Sequence, residues 1–93
     1  MYDIRYSNRI KRDMKRMKRR GKDLSKLSDV LNLLASGNPL PARYRDHMLT
    51  ENFTGMRECH IEPDWLLVYK VLKETLILRL IRTGSHSDNF YQR

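Results

Sequence analysis

The chain has three histidines, His47, His60 and His86, and each lies in a short polar cluster at the edge of an apolar segment. Imidazole has an unperturbed pKa of about 6.5, so it can give or take a proton near neutral pH. Asp64 follows His60 by four residues, and Arg82 precedes His86 by four. The histidines are therefore accompanied by a carboxylate and by a guanidinium, which binds phosphate well. These residue types predict acid–base cleavage of a phosphodiester without a metal.

The positive charge is concentrated in the first quarter of the chain. Residues 1–26 hold 11 Lys or Arg and three Asp or Glu, whereas residues 27–93 hold eight of each. A dense basic segment attracts a polyanion through Coulomb forces and counterion release, so we expect contact with nucleic acid. A solvated helix face is the alternative interpretation. The residues predicted to bind in this segment are Lys11, Arg12, Lys15, Arg16, Lys18, Arg19, Arg20 and Lys22.

Length and composition favour one small domain. A chain of 93 residues has room for a single core, which we predict over 1–93. Cys59 is the only cysteine, which excludes an intrachain disulfide and a cysteine-based zinc site. The N-terminal segment lacks a hydrophobic signal core, and the longest apolar run is too short to span a membrane. We expect a cytoplasmic protein that does not bind membranes.

The pattern of apolar residues in the first half predicts a strand and two helices. Alternation over 2–6 predicts the strand. Ser7 is predicted to cap a helix that ends at Gly21, and Asp23 a second helix that ends at Gly37. Apolar residues recur every three or four positions in both helices, which predicts a helix hairpin with one buried stripe.

Three β-like segments follow, over 55–62, 65–72 and 75–82, with turn signals between them. The predicted fold class is α+β, in the order β-α-α-β-β-β, with the helix hairpin covering one face of an antiparallel sheet. Alternation places Glu58, His60 and Glu62 on one face of their strand, and we expect this face to be open.

The order and spacing of these motifs resemble the YafQ toxins of the RelE superfamily. A His-x-Glu-Pro-Asp-Trp segment joined to a later Arg-Thr-Gly-x-His is the specific element, since either alone would be weak. The residues that carry the resemblance are Asp46, His47, Arg57, those at 60–65, Tyr69, Lys70, those at 82–86, and Phe90. The resemblance implies a RelE-like fold with a short C-terminal tail. It also implies a ribosome-dependent messenger-RNA endonuclease that a cognate, acidic antitoxin inhibits.

The resemblance also implies a functional set within this chain. Its members are His47, His60, Asp64, Arg82, His86 and Phe90, with Trp65 beside Asp64. Such a set can cleave RNA by transesterification, in which the 2′-OH attacks the adjacent phosphate and no cofactor is needed.

Each member is given a role. We expect His86 to act as the acid and His47 as the base, with Asp64 assisting or orienting His47. His60 and Arg82 are expected to hold the phosphate. Phe90 and Trp65 are expected to stack on a base or to wall it in. The basic helices are expected to dock on ribosomal RNA.

Other classes of function remain open at this point. The same superfamily contains gyrase-directed and non-catalytic toxins, and a basic helix pair also suits a module that only binds nucleic acid. A zinc site formed by the histidines and Asp64 is disfavoured, because no two of them have the short spacing of usual zinc ligands. Several proton-transfer groups on one face favour catalysis, since a protein that only binds does not need them.

Overall fold

The computed structural model describes residues 1–88, so the predicted C-terminal tail with Phe90 lies outside the described part of the chain. The helices and strands are β1 (Asp3–Tyr6), α1 (Asn8–Arg19), α2 (Leu24–Ala35), β2 (His47–Met48), β3 (Arg57–Glu62), β4 (Trp65–Leu72) and β5 (Ile77–Gly84). Short 3₁₀ turns lie at Ala42–Tyr44, Glu51–Phe53 and His86–Asp88. Neither helix is long and apolar enough to cross a membrane within residues 1–88.

Both helices begin at the predicted capping residues. The Ser7 hydroxyl oxygen accepts the backbone N–H of Ile10 at 3.1 Å, and the Asp23 carboxylate accepts that of Ser25 at 3.0 Å. Each bond satisfies one of the N–H groups that the first turn of a helix leaves unpaired. Gly21 follows α1 with a φ of +85°, a conformation that glycine adopts at little cost. The predicted helix hairpin is confirmed.

The strands form one sheet in the order β1-β5-β4-β3-β2. The predicted antiparallel meander of β3, β4 and β5 is confirmed, but the sheet as a whole is mixed because β1 lies parallel to β5. The last strand also begins two residues later than predicted, since residues 73–76 form a turn that ends in Leu76 at a φ of +53°. Strand β2 was not predicted, because its two residues are too few to show alternation.

A bulge in β3 changes the face to which one predicted residue belongs. The register between β3 and β4 shifts between His60 and Glu62. One extra residue reverses the alternation of side chains that follow it. Glu62 therefore contacts the helix hairpin, where Lys22 Nζ and Lys26 Nζ each lie 2.7 Å from its carboxylate. The prediction that Glu62 shares a face with His60 is wrong for this reason.

The core fills the space between the helix hairpin and the sheet. Its buried side chains come from both helices and from β3, β4 and β5, and they include Ile10, Met17, Leu27, Val30, Leu31, Ile61, Trp65, Leu67, Tyr69, Leu78 and Leu80. Cys59 is fully buried among them, and burial raises the pKa of its thiol to about 12. A thiol with so high a pKa is not a nucleophile near neutral pH.

A buried carboxylate joins α1 to β5. Asp13 is 2% exposed and lies on the apolar stripe of α1, three residues after Ile10. Its Oδ2 accepts hydrogen bonds from Nε of Arg82 at 2.7 Å and from the backbone N–H of Thr83 at 3.2 Å. Its Oδ1 accepts a hydrogen bond from Nη2 of Arg16 at 2.6 Å. A buried charge is tolerated only when such partners satisfy it. The sequence patterns did not point to Asp13, although a lone acid on an apolar stripe is the signal that marks it.

We expect Asp13→Ala to lower the free energy of unfolding by about 3 kcal/mol, because it leaves the guanidinium of Arg82 without its buried partner. Urea unfolding followed by circular dichroism measures the change. Asp3→Ala is the matched control, since the Asp3 side chain is 69% exposed and pairs with Arg5 at the surface. Equal loss of stability in the two variants would contradict the structural role of Asp13.

Candidate active site

The three histidines form one cluster, in which His60 is the neighbour of the other two. In the register of β2 and β3, His47 is directly opposite Glu58, and His60 lies two residues further along the same strand. Residues directly opposite in an antiparallel pair, and residues two apart in a strand, project from the same face. The ring centroids of His47 and His60 are 6.4 Å apart, and those of His60 and His86 are 6.1 Å apart. The fold thus brings together three side chains that span 40 positions of sequence.

Backbone carbonyls fix the orientation of two of these rings. Nδ1 of His47 is 2.8 Å from the carbonyl oxygen of Arg45, and Nδ1 of His60 is 3.2 Å from that of Pro63. A carbonyl oxygen can only accept a hydrogen bond, so each ring donates its Nδ1–H. In the neutral ring, Nε2 is then the atom that can take a proton.

The carboxylate of Glu58 lies near Nε2 of His47 and near Nε2 of His60. Its Oε1 is 3.4 Å from Nε2 of His47 and 3.7 Å from Nε2 of His60, and the residue is 7% exposed. A carboxylate at this distance stabilises the positive charge that either ring acquires when it takes a proton. Glu58 is not among the functional residues that the sequence motifs predict. Its position on the His60 face was the signal that could have placed it in the site.

His86 is held by Asp64. One carboxylate oxygen of Asp64 accepts the backbone N–H of His86 at 3.0 Å and its Nδ1–H at 2.5 Å. These two bonds hold the pKa of Asp64 below its usual value, so the carboxylate is ionised and the ring must donate from Nδ1. The His86 side chain is 62% exposed, and its Nε2 is not used by this pair. Asp64 is therefore the partner of His86, and the expected pairing of Asp64 with His47 is wrong.

Arg82 and Glu58 are both cross-strand neighbours of Val68. Val68 pairs with Glu58 on one side and with Arg82 on the other, so the three side chains project from one face. Nε and Nη2 of Arg82 both bond to Asp13, at 2.7 and 3.2 Å, and the side chain is 17% exposed. The structure thus pairs Arg82 with a carboxylate of α1, and this pair sets the plane of its guanidinium.

Trp65 does not lie at the surface. It is 0% exposed, and its indole N–H donates to the hydroxyl of Thr83 at 2.9 Å. That hydroxyl in turn donates to the carbonyl of Leu66 at 2.7 Å. A base cannot stack on a ring with no accessible face, so the expected contact of Trp65 with RNA is wrong. The tryptophan is part of the hydrophobic core, while Phe90 lies outside the described residues.

A second carboxylate anchors the strand that carries His47. Asp46 accepts hydrogen bonds from Nε and Nη2 of Arg57, the latter at 2.9 Å, and from the hydroxyl of Tyr69. Burial raises the pKa of Tyr69, so the phenol stays protonated and remains a donor. These bonds tie the two-residue strand β2 to β3 and β4. They also explain why Asp46, Arg57 and Tyr69 accompany the histidines in the motif.

The eight basic residues predicted to bind a polyanion fall into two groups. Arg16 and Arg20 face Asp88, at 3.8 and 2.8 Å, and Lys22 pairs with Glu62. The other five are exposed and form no ion pair within residues 1–88. We call these five the exposed basic strip, and its members are Lys11, Arg12, Lys15, Lys18 and Arg19.

A cavity of about 380 Å³ opens beside His60, at the end of β3 that β2 does not cover. Its lining includes the cationic side chains of Lys26, Arg43 and Arg45. The guanidinium of Arg43 lies 4.6 Å from the centre of the Tyr44 ring. Among residues 1–88, no three His, Cys, Asp or Glu side chains are arranged to hold a metal ion.

The fold and the sequence match known proteins over almost the full chain. Residues 2–91 match a family described as "Bacterial toxin of type II toxin-antitoxin system, YafQ". The mRNA interferase toxin YafQ of Escherichia coli strain K12 is 43% identical over 89 residues, which is 95% of each chain.

Two solved structures are similar throughout. A chain in the crystal structure of the E. coli DinJ-YafQ complex is 42% identical, with a TM-score of 0.87 over 97% of this chain and 99% of that one. A metal-bound toxin from Helicobacter pylori is 41% identical, with a TM-score of 0.90 over 97% of this chain and all of that one. These likenesses confirm the fold that the motifs implied. The chain therefore belongs to the YafQ family of bacterial toxins of type II toxin–antitoxin systems.

Proposed function

We propose that this toxin is an endoribonuclease that cleaves messenger RNA on the ribosome by acid–base catalysis. The observation that carries the proposal is the cluster of three imidazoles, in which the His60 ring lies 6.4 Å from that of His47 and 6.1 Å from that of His86. Glu58 lies against His47 and His60, and Asp64 lies against His86. The name mRNA interferase, given to the E. coli relatives, supports the same reaction. Cleavage of messages would stop translation and arrest growth.

The spacing of the three rings suits in-line transesterification. The attacking 2′-oxygen and the leaving 5′-oxygen lie on opposite sides of the phosphorus, so the base and the acid must reach it from different sides. A phosphate bound at His60, the common neighbour of the other two rings, would be within reach of both His47 and His86. His60 and Arg82 would then bind the non-bridging oxygens, where negative charge grows as the phosphorane forms.

Two proton transfers complete the reaction. Nε2 of His47 takes the proton of the 2′-OH as that oxygen bonds to phosphorus, and Glu58 stabilises the resulting imidazolium. Nε2 of protonated His86 gives its proton to the 5′-oxygen as the bond from phosphorus to that oxygen breaks. The products are a 2′,3′-cyclic phosphate and a 5′-OH, and the ionised Asp64 stabilises the charged form of His86 before transfer.

Two macromolecular partners complete the proposal. The exposed basic strip would bind ribosomal RNA, because its cations have no ion-pair partner within residues 1–88 and can release the counterions of a phosphate backbone. A cognate antitoxin would bind the toxin and hold it inactive, and the toxin–antitoxin complex of the E. coli relative supports a partner of this kind. Because the chain carries a net charge of +8, we expect that antitoxin to be acidic.

We expect His86→Gln to lower the rate of cleavage on programmed ribosomes by about 10²-fold to 10⁴-fold, the usual contribution of a general acid. Mapping the cut, and testing its 3′ end for a cyclic phosphate, measures both the rate and the chemistry. Retained binding of the antitoxin provides the control for folding. Full activity in this variant would exclude His86 as the acid, and intact messages accompanied by DNA damage would instead indicate a gyrase-directed toxin.

We expect Asp64→Asn to reduce the cleavage rate less than Asp64→Ala. The amide oxygen of asparagine can still accept the two N–H bonds of His86, but it lacks the charge that stabilises the imidazolium. Single-turnover cleavage by the two variants separates orientation from charge. Equal rates for the wild type and the alanine variant would remove Asp64 from the mechanism.

We expect replacement of Lys15 and Lys18 by Gln to weaken ribosome binding and to flatten its dependence on salt, by a slope of about 0.7–0.9 for each phosphate that the variant no longer neutralises. Sedimentation with ribosomes at several salt concentrations measures this. Replacement of Lys73 and Arg79, which are exposed at other places, removes the same charge and is the matched control. The same salt slope for both double variants would contradict docking through α1.

A further inference from the structure

Arg20, the residue that follows α1, binds the segment that carries His86. Nη1 and Nη2 of Arg20 donate to the two carboxylate oxygens of Asp88, at 2.9 and 2.8 Å. The two residues are 68 positions apart in sequence. A two-pronged bond between a guanidinium and a carboxylate fixes orientation as well as distance. We call this pair the Arg20–Asp88 clamp.

Asp88 also closes the turn in which His86 lies. Its Oδ2 accepts the backbone N–H of Ser85 at 2.7 Å, and its own backbone N–H donates to the carbonyl of Ser85 at 3.0 Å. The Asp88 side chain is 11% exposed, and the hydrogen bonds from Arg20 hold its pKa well below the usual range. The carboxylate therefore stays ionised, and the turn over 85–88 is joined to α1 through it.

The turn needs such an anchor because it lies beyond the end of β5. Strand pairing ends at Gly84, so no ladder of backbone bonds fixes the residues that follow within the described range. Asp64 holds the His86 ring and its backbone N–H from one side, but both of these side chains are more than 60% exposed. The Arg20–Asp88 clamp holds the other end of the same turn.

We propose that Arg20 and Asp88 are positioning residues for His86, and that Arg20 acts on the chemical step and not on binding of the polyanion. This inference rests on the proposed function for its kinetic part. A misplacement of about 1 Å in a reacting group can cost about a hundredfold in rate. Loss of the clamp should therefore lower the rate constant of cleavage and leave the affinity for ribosomes nearly unchanged.

Charge separates this role from RNA binding. Arg20→Gln removes a positive charge and Asp88→Asn removes a negative one, so the two variants have opposite effects on attraction to a polyanion. A binding role for this region predicts that Asp88→Asn binds ribosomes as tightly as the wild type or more tightly, and cleaves at least as fast. A positioning role predicts that both variants cleave more slowly.

The test measures single-turnover cleavage on programmed ribosomes over a range of ribosome concentrations. We expect Arg20→Gln and Asp88→Asn each to lower the maximal rate about 10-fold to 100-fold. The ribosome concentration that gives half of the maximal rate should change less than about threefold. Arg19→Gln is the comparison for loss of a binding charge, since Arg19 belongs to the exposed basic strip, and it should raise the half-saturating concentration. Arg79→Gln is the matched control, because Arg79 is exposed on β5 outside the strip, and it should leave both constants unchanged. The exchanged pair Arg20→Asp with Asp88→Arg should recover part of the maximal rate.

A second measurement does not depend on activity. The backbone N–H of His86 donates to Asp64, and its hydrogen exchange should become faster in Arg20→Gln and Asp88→Asn but not in Arg19→Gln. Unchanged exchange, a maximal rate unaffected by Asp88→Asn, or kinetics of Arg20→Gln equal to those of Arg19→Gln would each overturn the proposal. A wild-type protein that does not cleave would overturn the proposed nuclease function, and the exchange rates would still decide whether the clamp holds His86.

Discussion

The structure depends on one buried carboxylate. Asp13 lies on the apolar stripe of α1 and accepts hydrogen bonds from Arg82, from Arg16 and from the backbone of Thr83. A charge removed from water in this way is costly without its partners, so these bonds favour the register in which α1 packs against β5. That register decides where the guanidinium of Arg82 lies and where the C-terminal end of α1 meets the turn that follows β5. The packing of the helix and the geometry of the site are thus set by the same contacts.

Each histidine ring is oriented by a hydrogen bond to a backbone carbonyl or to a carboxylate. Backbone carbonyls take Nδ1–H of His47 and His60, and a carboxylate takes that of His86, so all three rings use Nδ1 for orientation. The two carboxylates of the site lie in different surroundings. Glu58 is buried between two rings, whereas Asp64 is exposed and contacts one ring through two bonds. The proposed base, His47, and the proposed acid, His86, therefore have carboxylates in different surroundings.

The positive charge of α1 and of Arg20, which follows it, is divided between two surfaces. The outer surface carries the exposed basic strip, which we propose binds a polyanion. On the inner surface Arg16 pairs with Asp13 of the same helix, and Arg16 and Arg20 both face Asp88 near the other end of the chain. The count of basic residues in the sequence cannot separate the two groups.

The sequence by itself determined the elements whose signals are local. Capping at Ser7 and Asp23, the apolar stripes of both helices and the alternation in the meander each depend on residues close together in the chain, and these predictions are confirmed. The motifs around His60 and His86 also identified the family. Tertiary structure alone decided that Asp64 serves His86, that Trp65 is buried, and that Glu62 leaves the open face. Each of these depends on a bulge, a strand register or a partner tens of residues away. Contacts of that kind leave no periodic trace in the sequence, because they arise only when the helix hairpin and the sheet pack together.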